Sequence, residues 1–159
     1  MSPSERSTQA PLTLGQAVLA ARPARVLLAE DDTELRTLLA TCLRQDGYCV
    51  VEAKDGDELL QEIGDGLLAA YSVRPDLIVS DIRMPGRSGI DVLAGLRDAA
   101  WETPVVLVTA FGDEETHARA KALGATAILD KPFDVDDLRT VVLLHLSRSW
   151  RRYGPESAR

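Results

Sequence analysis

A chain of 159 residues is long enough for one domain with a sizeable core and short for two. Its 45% hydrophobic content excludes a disordered chain, and its formal net charge of −7 argues against a broad nucleic-acid footprint and direct DNA binding. No apolar run approaches the roughly 20 residues that span a bilayer, and Met1 to Arg6 lacks the layout of a secretory leader, so the chain reads as cytoplasmic with no membrane partner.

Residues 1–23 read as an N-terminal extension. Its first eleven residues are rich in Ser, Pro and Thr, and Thr13-Leu14-Gly15-Gln16 has the spacing of a capping box. That predicts a short helix over 14–21, stopped by Pro23. Regular patterning begins at Arg25. The continuous apolar run Val26–Ala29 predicts a strand buried on both faces. Leu35, Leu38, Leu39, Cys42 and Leu43 recur at helical spacing, and Gly47 marks the stop. Tyr48–Val51 predicts the second strand. Leu59, Leu60, Ile63, Leu67 and Leu68 predict the second helix, weakened in its middle by Gly64 and Gly66. Leu77–Ser80 is the third strand, Ile90, Leu93 and Leu96 mark the third helix, and Val105–Val108 is the fourth strand. A polar helix over Asp113–Leu123 closes at Gly124, a fifth strand covers Ala125–Leu129, and Leu138, Val141, Val142 and His145 carry the last helix. Strict β/α alternation implies parallel strands with helices on both faces. Right-handed crossovers then favour a flavodoxin-like, doubly wound (βα)5 sheet in the order 2-1-3-4-5. The domain covers 24–147, with 148–159 as a basic and polar tail. Cys42 and Cys49 lack metal-ligand or Cys-x-x-Cys spacing and read as reduced, core or half-buried thiols.

Ligands of such sheets gather at the carboxyl ends of the strands. There the sequence places Glu30-Asp31-Asp32, Asp81, Thr109-Ala110 and Asp130-Lys131-Pro132. Converging carboxylates repel one another, and a hard divalent cation such as Mg²⁺ removes the conflict. Lys131 offers a compact charge for a phosphoryl oxygen, and the Thr109 hydroxyl a hydrogen bond. Carboxylate nucleophile, metal, lysine and hydroxyl together make an aspartyl-phosphate site. Each residue alone has a plainer reading: Asp32 or Thr33 as a helix cap, Asp81 as a turn former before Pro85-Gly86, Thr109 as packing, Lys131 as a solvated charge. Their placement at the ends of different parallel strands favours the chemical reading.

The motifs Val26-Leu27-Leu28-Ala29-Glu30-Asp31-Asp32, Leu77-Ile78-Val79-Ser80-Asp81-Ile82-Arg83-Met84-Pro85-Gly86, Val108-Thr109-Ala110 and Asp130-Lys131-Pro132-Phe133 resemble the receiver domains of two-component response regulators, as does Gly89. The resemblance implies that Asp81 accepts a phosphoryl group from a histidine kinase or phosphotransfer protein. It implies that Asp31 and Asp81 bind Mg²⁺ directly, that Arg83 offers its backbone carbonyl, and that Glu30 helps through water or orientation. Thr109 and Lys131 would then engage the phosphoryl group, and Lys131-Pro132 would be cis. Mg²⁺-dependent self-phosphorylation from phosphohistidine or small phosphodonors, and self-dephosphorylation, follow. Output would pass through the fourth helix, fifth strand and fifth helix to a protein partner or a second copy, as in a stand-alone, chemotaxis-regulator-like receiver. The alternatives are a phosphorylation-independent adaptor and a receiver fragment of a longer regulator.

One departure concerns Ile128, where members of the family often carry an aromatic switch residue. Phe111 and the Arg83 side chain are expected to tune water access to the phosphoryl group. His117, Arg119 and Lys121 are expected on the solvent side of the fourth helix, and His145 as a partly buried packing residue. Arg148, Arg151 and Arg152, with Trp150 and Tyr153, could contact an acidic partner or complement a helix end. A phosphatase of the aspartyl-nucleophile class would carry Asp-x-Asp and a cap, both missing here. An adaptor would have lost Asp81, Asp31 or Lys131, and a nucleotide site would need a Gly-rich loop.

Overall fold

The computed structural model describes residues 22–68, 74–110 and 112–153, with 66–68 and 148–153 by backbone alone. The expected helix over 14–21 and Phe111 lie outside the described residues. In chain order the elements are β1 (Arg25–Ala29), α1 (Thr33–Gln45), β2 (Cys49–Ala53), α2 (Gly56–Leu68) and β3 (Leu77–Asp81). Then come α3 (Gly89–Asp98), β4 (Val105–Thr109), α4 (Glu114–Ala122), β5 (Ala127–Asp130) and α5 (Val135–Tyr153). The sheet order is β2-β1-β3-β4-β5, every pair parallel, as the alternation predicts.

The continuous apolar runs form the sheet centre because both of its faces are covered. β3 and β4 are buried at all five positions. Alternate residues divide between two layers. Leu27, Ile78 and Leu107 pack with Leu59, Leu93 and Ala120 under α2, α3 and α4; Leu28, Val79 and Val106 pack with Leu39, Leu43, Leu138 and Val142 under α1 and α5. Each fully buried Leu or Ile contributes about 1.5–3 kcal/mol. Asp32, Ser88 and Asp113 are the N-caps of α1, α3 and α4, each accepting a hydrogen bond from a backbone N–H in the first turn.

Several boundaries differ from the sequence expectation. β2 starts at Cys49 because the Tyr48 N–H is spent on the Leu43 carbonyl that ends α1. β5 starts at Ala127, not Ala125: the Ala125 N–H bonds back to Ala120 O, and the chain turns through Gly124 at φ +81° before Thr126 reaches Val105. α2 runs unbroken past Gly64, because burial of Leu59 and Ile63 outweighs the glycine cost. α5 continues to Tyr153, beyond the last apolar-periodic residue. Cys42 is half-buried, whereas Cys49, on the edge strand, is exposed rather than half-buried; both are free thiols. Among the described residues no helix is long and apolar enough to cross a membrane.

Candidate functional site

Asp81 is the last residue of β3 and is buried. Its two oxygens are held by different partners. Oδ1 accepts from the Arg83 N–H at 3.1 Å, and Oδ2 from Lys131 Nζ at 2.7 Å. Lys131 Nζ also donates to Glu30 Oε2 at 2.9 Å, so one ammonium bridges two acids from β1 and β3. Glu30 is buried, and its other oxygen accepts from the Asp32 N–H at 3.2 Å. Asp32 itself turns to cap α1, the plainer of its two readings. Asp31 stays exposed at the rim, and oxygens of Glu30, Asp31 and Asp81 lie within 4.8 Å of one another.

The local sequence explains how the carboxylate is presented. Ser80 Oγ donates to the Asp81 carbonyl at 2.9 Å. Gly89 passes against the same carbonyl, where a Cβ would collide with Asp81 O and crowd Ser80 Oγ. Between them the loop turns at Gly86, φ +77°, a conformation suited to glycine. That loop leans on the start of α2. The Gly56 N–H donates to Pro85 O at 3.3 Å, a Cβ at Gly56 would strike Arg87 O, and one at Gly86 would meet the Asp57 carboxylate.

The charges are unequal in this pocket: three carboxylates face one ammonium. Burial pushes the Glu30 carboxyl above its ordinary value, and the Asp81 charge adds to this. The hydrogen bonds from Lys131 and the Asp32 N–H only partly offset it. For Lys131, burial alone would lower the ammonium, but the hydrogen bonds and charges of Asp81 and Glu30 prevail and raise it. The donor set is all oxygen, carries excess negative charge and includes one exposed member, which suits a hard cation at the rim.

Thr109 is buried at the end of β4. Its carbonyl accepts the Lys131 N–H at 2.7 Å, so backbone pairing ties the hydroxyl-bearing residue to the lysine. The Lys131-Pro132 peptide is cis, as the resemblance implies. Arg83 is exposed and touches Asp81 through its backbone N–H. Ile128 is half-buried against the α2–α4 layer. Arg119 and Lys121 are exposed, as expected, but His117 is not a plain solvent-side residue. Its Nε2 lies 2.8 Å from Asp130 Oδ1. The sequence reading missed this pair; strand parity was the available signal, since Asp130 shares the α4-facing side of β5 with Ile128. His145 is half-buried, and the side chains of 148–153 lie outside the described residues.

Comparison with known proteins agrees with this geometry. The family model of the response regulator receiver domain matches residues 26–143. The chain is 40% identical over 130 residues to the transcriptional regulatory protein PdtaR of Mycobacterium tuberculosis, covering 81% of this chain and 60% of that protein. It is 36% identical over 125 residues to the transcriptional regulatory protein CpxR of Escherichia coli, covering 79% and 50%. The chain thus spans about half to three-fifths of these curated relatives. Among solved structures, the receiver domain of the Francisella response regulator 1452 superimposes with a TM-score of 0.70 at 29% identity, covering 79% of this chain and 98% of that one. The chemotaxis response regulator CheY4 of Vibrio cholerae gives 0.67 at 30% identity, covering 78% and 99%.

Proposed function

We propose, on the premise that this chain belongs to the response regulator receiver domains of two-component signalling, that it is a switch whose phosphoryl acceptor is Asp81. The observation that carries the reading is the Asp81–Lys131–Glu30 bridge. A buried carboxylate at a strand end is held by an ammonium that a phosphoryl oxygen can take over. A cation fits the acids described above. Asp31, Asp81 and the Arg83 backbone carbonyl would hold Mg²⁺, with Glu30 acting through water. When bound, Mg²⁺ cancels carboxylate repulsion and polarises phosphoryl oxygens.

In the reaction an Asp81 carboxylate oxygen attacks phosphorus on a phosphohistidine of a kinase or phosphotransfer protein. The P–N bond breaks, its electron pair returns to the imidazole, and a P–O bond forms on Asp81. Lys131 moves from Asp81 Oδ2 to a phosphoryl oxygen, and the Thr109 hydroxyl donates to another. Water later cleaves the mixed anhydride, with Arg83 and Phe111 governing its access. Phosphorylation adds about −1.5 to −2 charges, and the face built from α4, β5 and α5 passes the change to a protein partner or a second copy. The chain divides into an extension over 1–23, the receiver over 24–147 and a tail over 148–159, and it works in the cytoplasm. A second reading, the receiver portion of a longer regulator, fits the greater length of the curated relatives.

The test compares wild type with Asp81→Asn by intact mass after incubation with Mg²⁺ and acetyl phosphate. Wild type gains one phosphoryl group and the variant none; a gain independent of Asp81, or no gain by wild type, overturns the proposal. Size exclusion of the same samples reports self-association.

A further inference from the structure

Thr109 and Asp130 end neighbouring strands and face the same way. They are partners in the parallel β4–β5 ladder, and paired residues project to one side of a sheet. Two residues earlier, the partners Leu107 and Ile128 both pack in the layer covered by α2, α3 and α4. Asp130 therefore sits on the α4 side, where its Oδ1 meets His117 Nε2 at 2.8 Å. A carboxylate only accepts, so Nε2 carries the hydrogen. Gly112 roofs the contact: a Cβ there would collide with both Asp130 Oδ1 and His117 Nε2.

α4 has little else to hold it. Among its residues only Ala120 is buried, and its ion pair to α3, Arg119 with Asp91, is long at 3.9 Å and exposed at both ends. The charged groups facing His117 are Asp130 from β5 and Asp113 at the α4 cap. Hydrogen bonds from Thr116 hold the Asp113 carboxyl below its ordinary value, aided by the charge of Arg83. On the other side, Asp130 is the residue before Lys131, whose N–H is bonded to Thr109 O. One peptide unit separates the lysine that holds Asp81 from the β5 carboxylate that holds His117 of α4. The Ile128 side chain has no polar atom with which to report a change at Thr109.

We propose that the Asp130–His117 hydrogen bond under Gly112 is the contact through which the Asp81 site sets the position of α4. Movement of Lys131 and Thr109 toward a phosphoryl group draws Asp130 away, releases His117 and loosens α4. His117 is thus a positioning residue, and the inference rests on the phosphorylation reading above.

The experiment uses the full chain with Mg²⁺ and beryllofluoride as the phosphoryl mimic. It measures hydrogen exchange across 114–122 and mimic affinity in wild type, His117→Ala, His117→Gln and Asp130→Ala. In wild type the mimic speeds α4 exchange about fivefold, roughly 1 kcal/mol. In His117→Ala and Asp130→Ala, exchange is already fast and the mimic adds less than about twofold. Because the contact no longer has to break, the mimic binds these variants about fivefold tighter, by linkage. His117→Gln keeps an N–H at similar reach and restores the wild-type response. An unchanged α4 response and unchanged affinity in the variants overturn this inference alone. Failure of wild type to bind the mimic removes the phosphorylation reading and this inference with it.

Discussion

Replacing Lys131 with methionine keeps an unbranched apolar stem and deletes the ammonium. Two contacts vanish, at 2.7 Å to Asp81 and 2.9 Å to Glu30. The carboxylates left facing each other have side chains only 6% and 2% exposed. Removing one partner of a buried pair costs about 3–5 kcal/mol, because the remaining charge has neither water nor counter-ion. Lys131 is 21% exposed, so solvent supplies part of the compensation, and the expected loss is about 2–3 kcal/mol. For a chain of this size that lowers Tm by about 4–12 °C. Mg²⁺ should return much of the deficit, since it supplies the missing positive charge at the same acids, and should therefore raise the Tm of Lys131→Met more than that of wild type. The assay is thermal unfolding by circular dichroism near neutral pH, in chelator and in saturating Mg²⁺. A variant within about 1 °C of wild type in chelator, or equal Mg²⁺ gains in both proteins, refutes the electrostatic account of the pocket.

Further predictions test the presentation and charge of the acid group, with an exposed helical glycine for comparison. Gly89→Ala pushes a methyl into the Asp81 carbonyl and should cost about 1–3 kcal/mol in urea unfolding while slowing phosphorylation; Gly95→Ala, an exposed helical position with open space, should stabilise by about 0.5–1 kcal/mol. Glu30 has its folded value raised above 4.5, so its contribution to the stability of the metal-free protein is fullest below 4.5 and declines as pH rises through the raised value. Mg²⁺ binding favours the ionised acid and moves the opposite way. Its calorimetric affinity should fall as pH drops through that window, and Glu30→Gln should flatten the dependence.

The central strands were legible because each is an uninterrupted apolar run, a pattern that only a sheet covered on both faces makes stable. The acids, Thr109 and Lys131 were legible because strand ends of a parallel sheet share one edge, so positions far apart in the chain could be placed together by topology. The start of β5 was not, since it depends on where the Ala125 N–H goes, and a helix cap takes it before the ladder can. The true length of α5 was hidden because its final turns carry polar residues without apolar period. The His117–Asp130 contact was hidden for a related reason. α4 has too few apolar residues to betray which face it buries, so its orientation emerges only from packing against β5.

The loop after Asp81 was seen to rest on the first turn of α2, with no space for side-chain carbon at Gly56 and the Asp57 carboxylate set against Gly86. For anyone recombining sequences, this makes the two segments one transplantable part. A loop over 82–88 taken from another protein will seat correctly only if a glycine stands at position 56 beneath it. A library that varies one segment against a fixed copy of the other will be depleted of functional members before any substitution touches the acids.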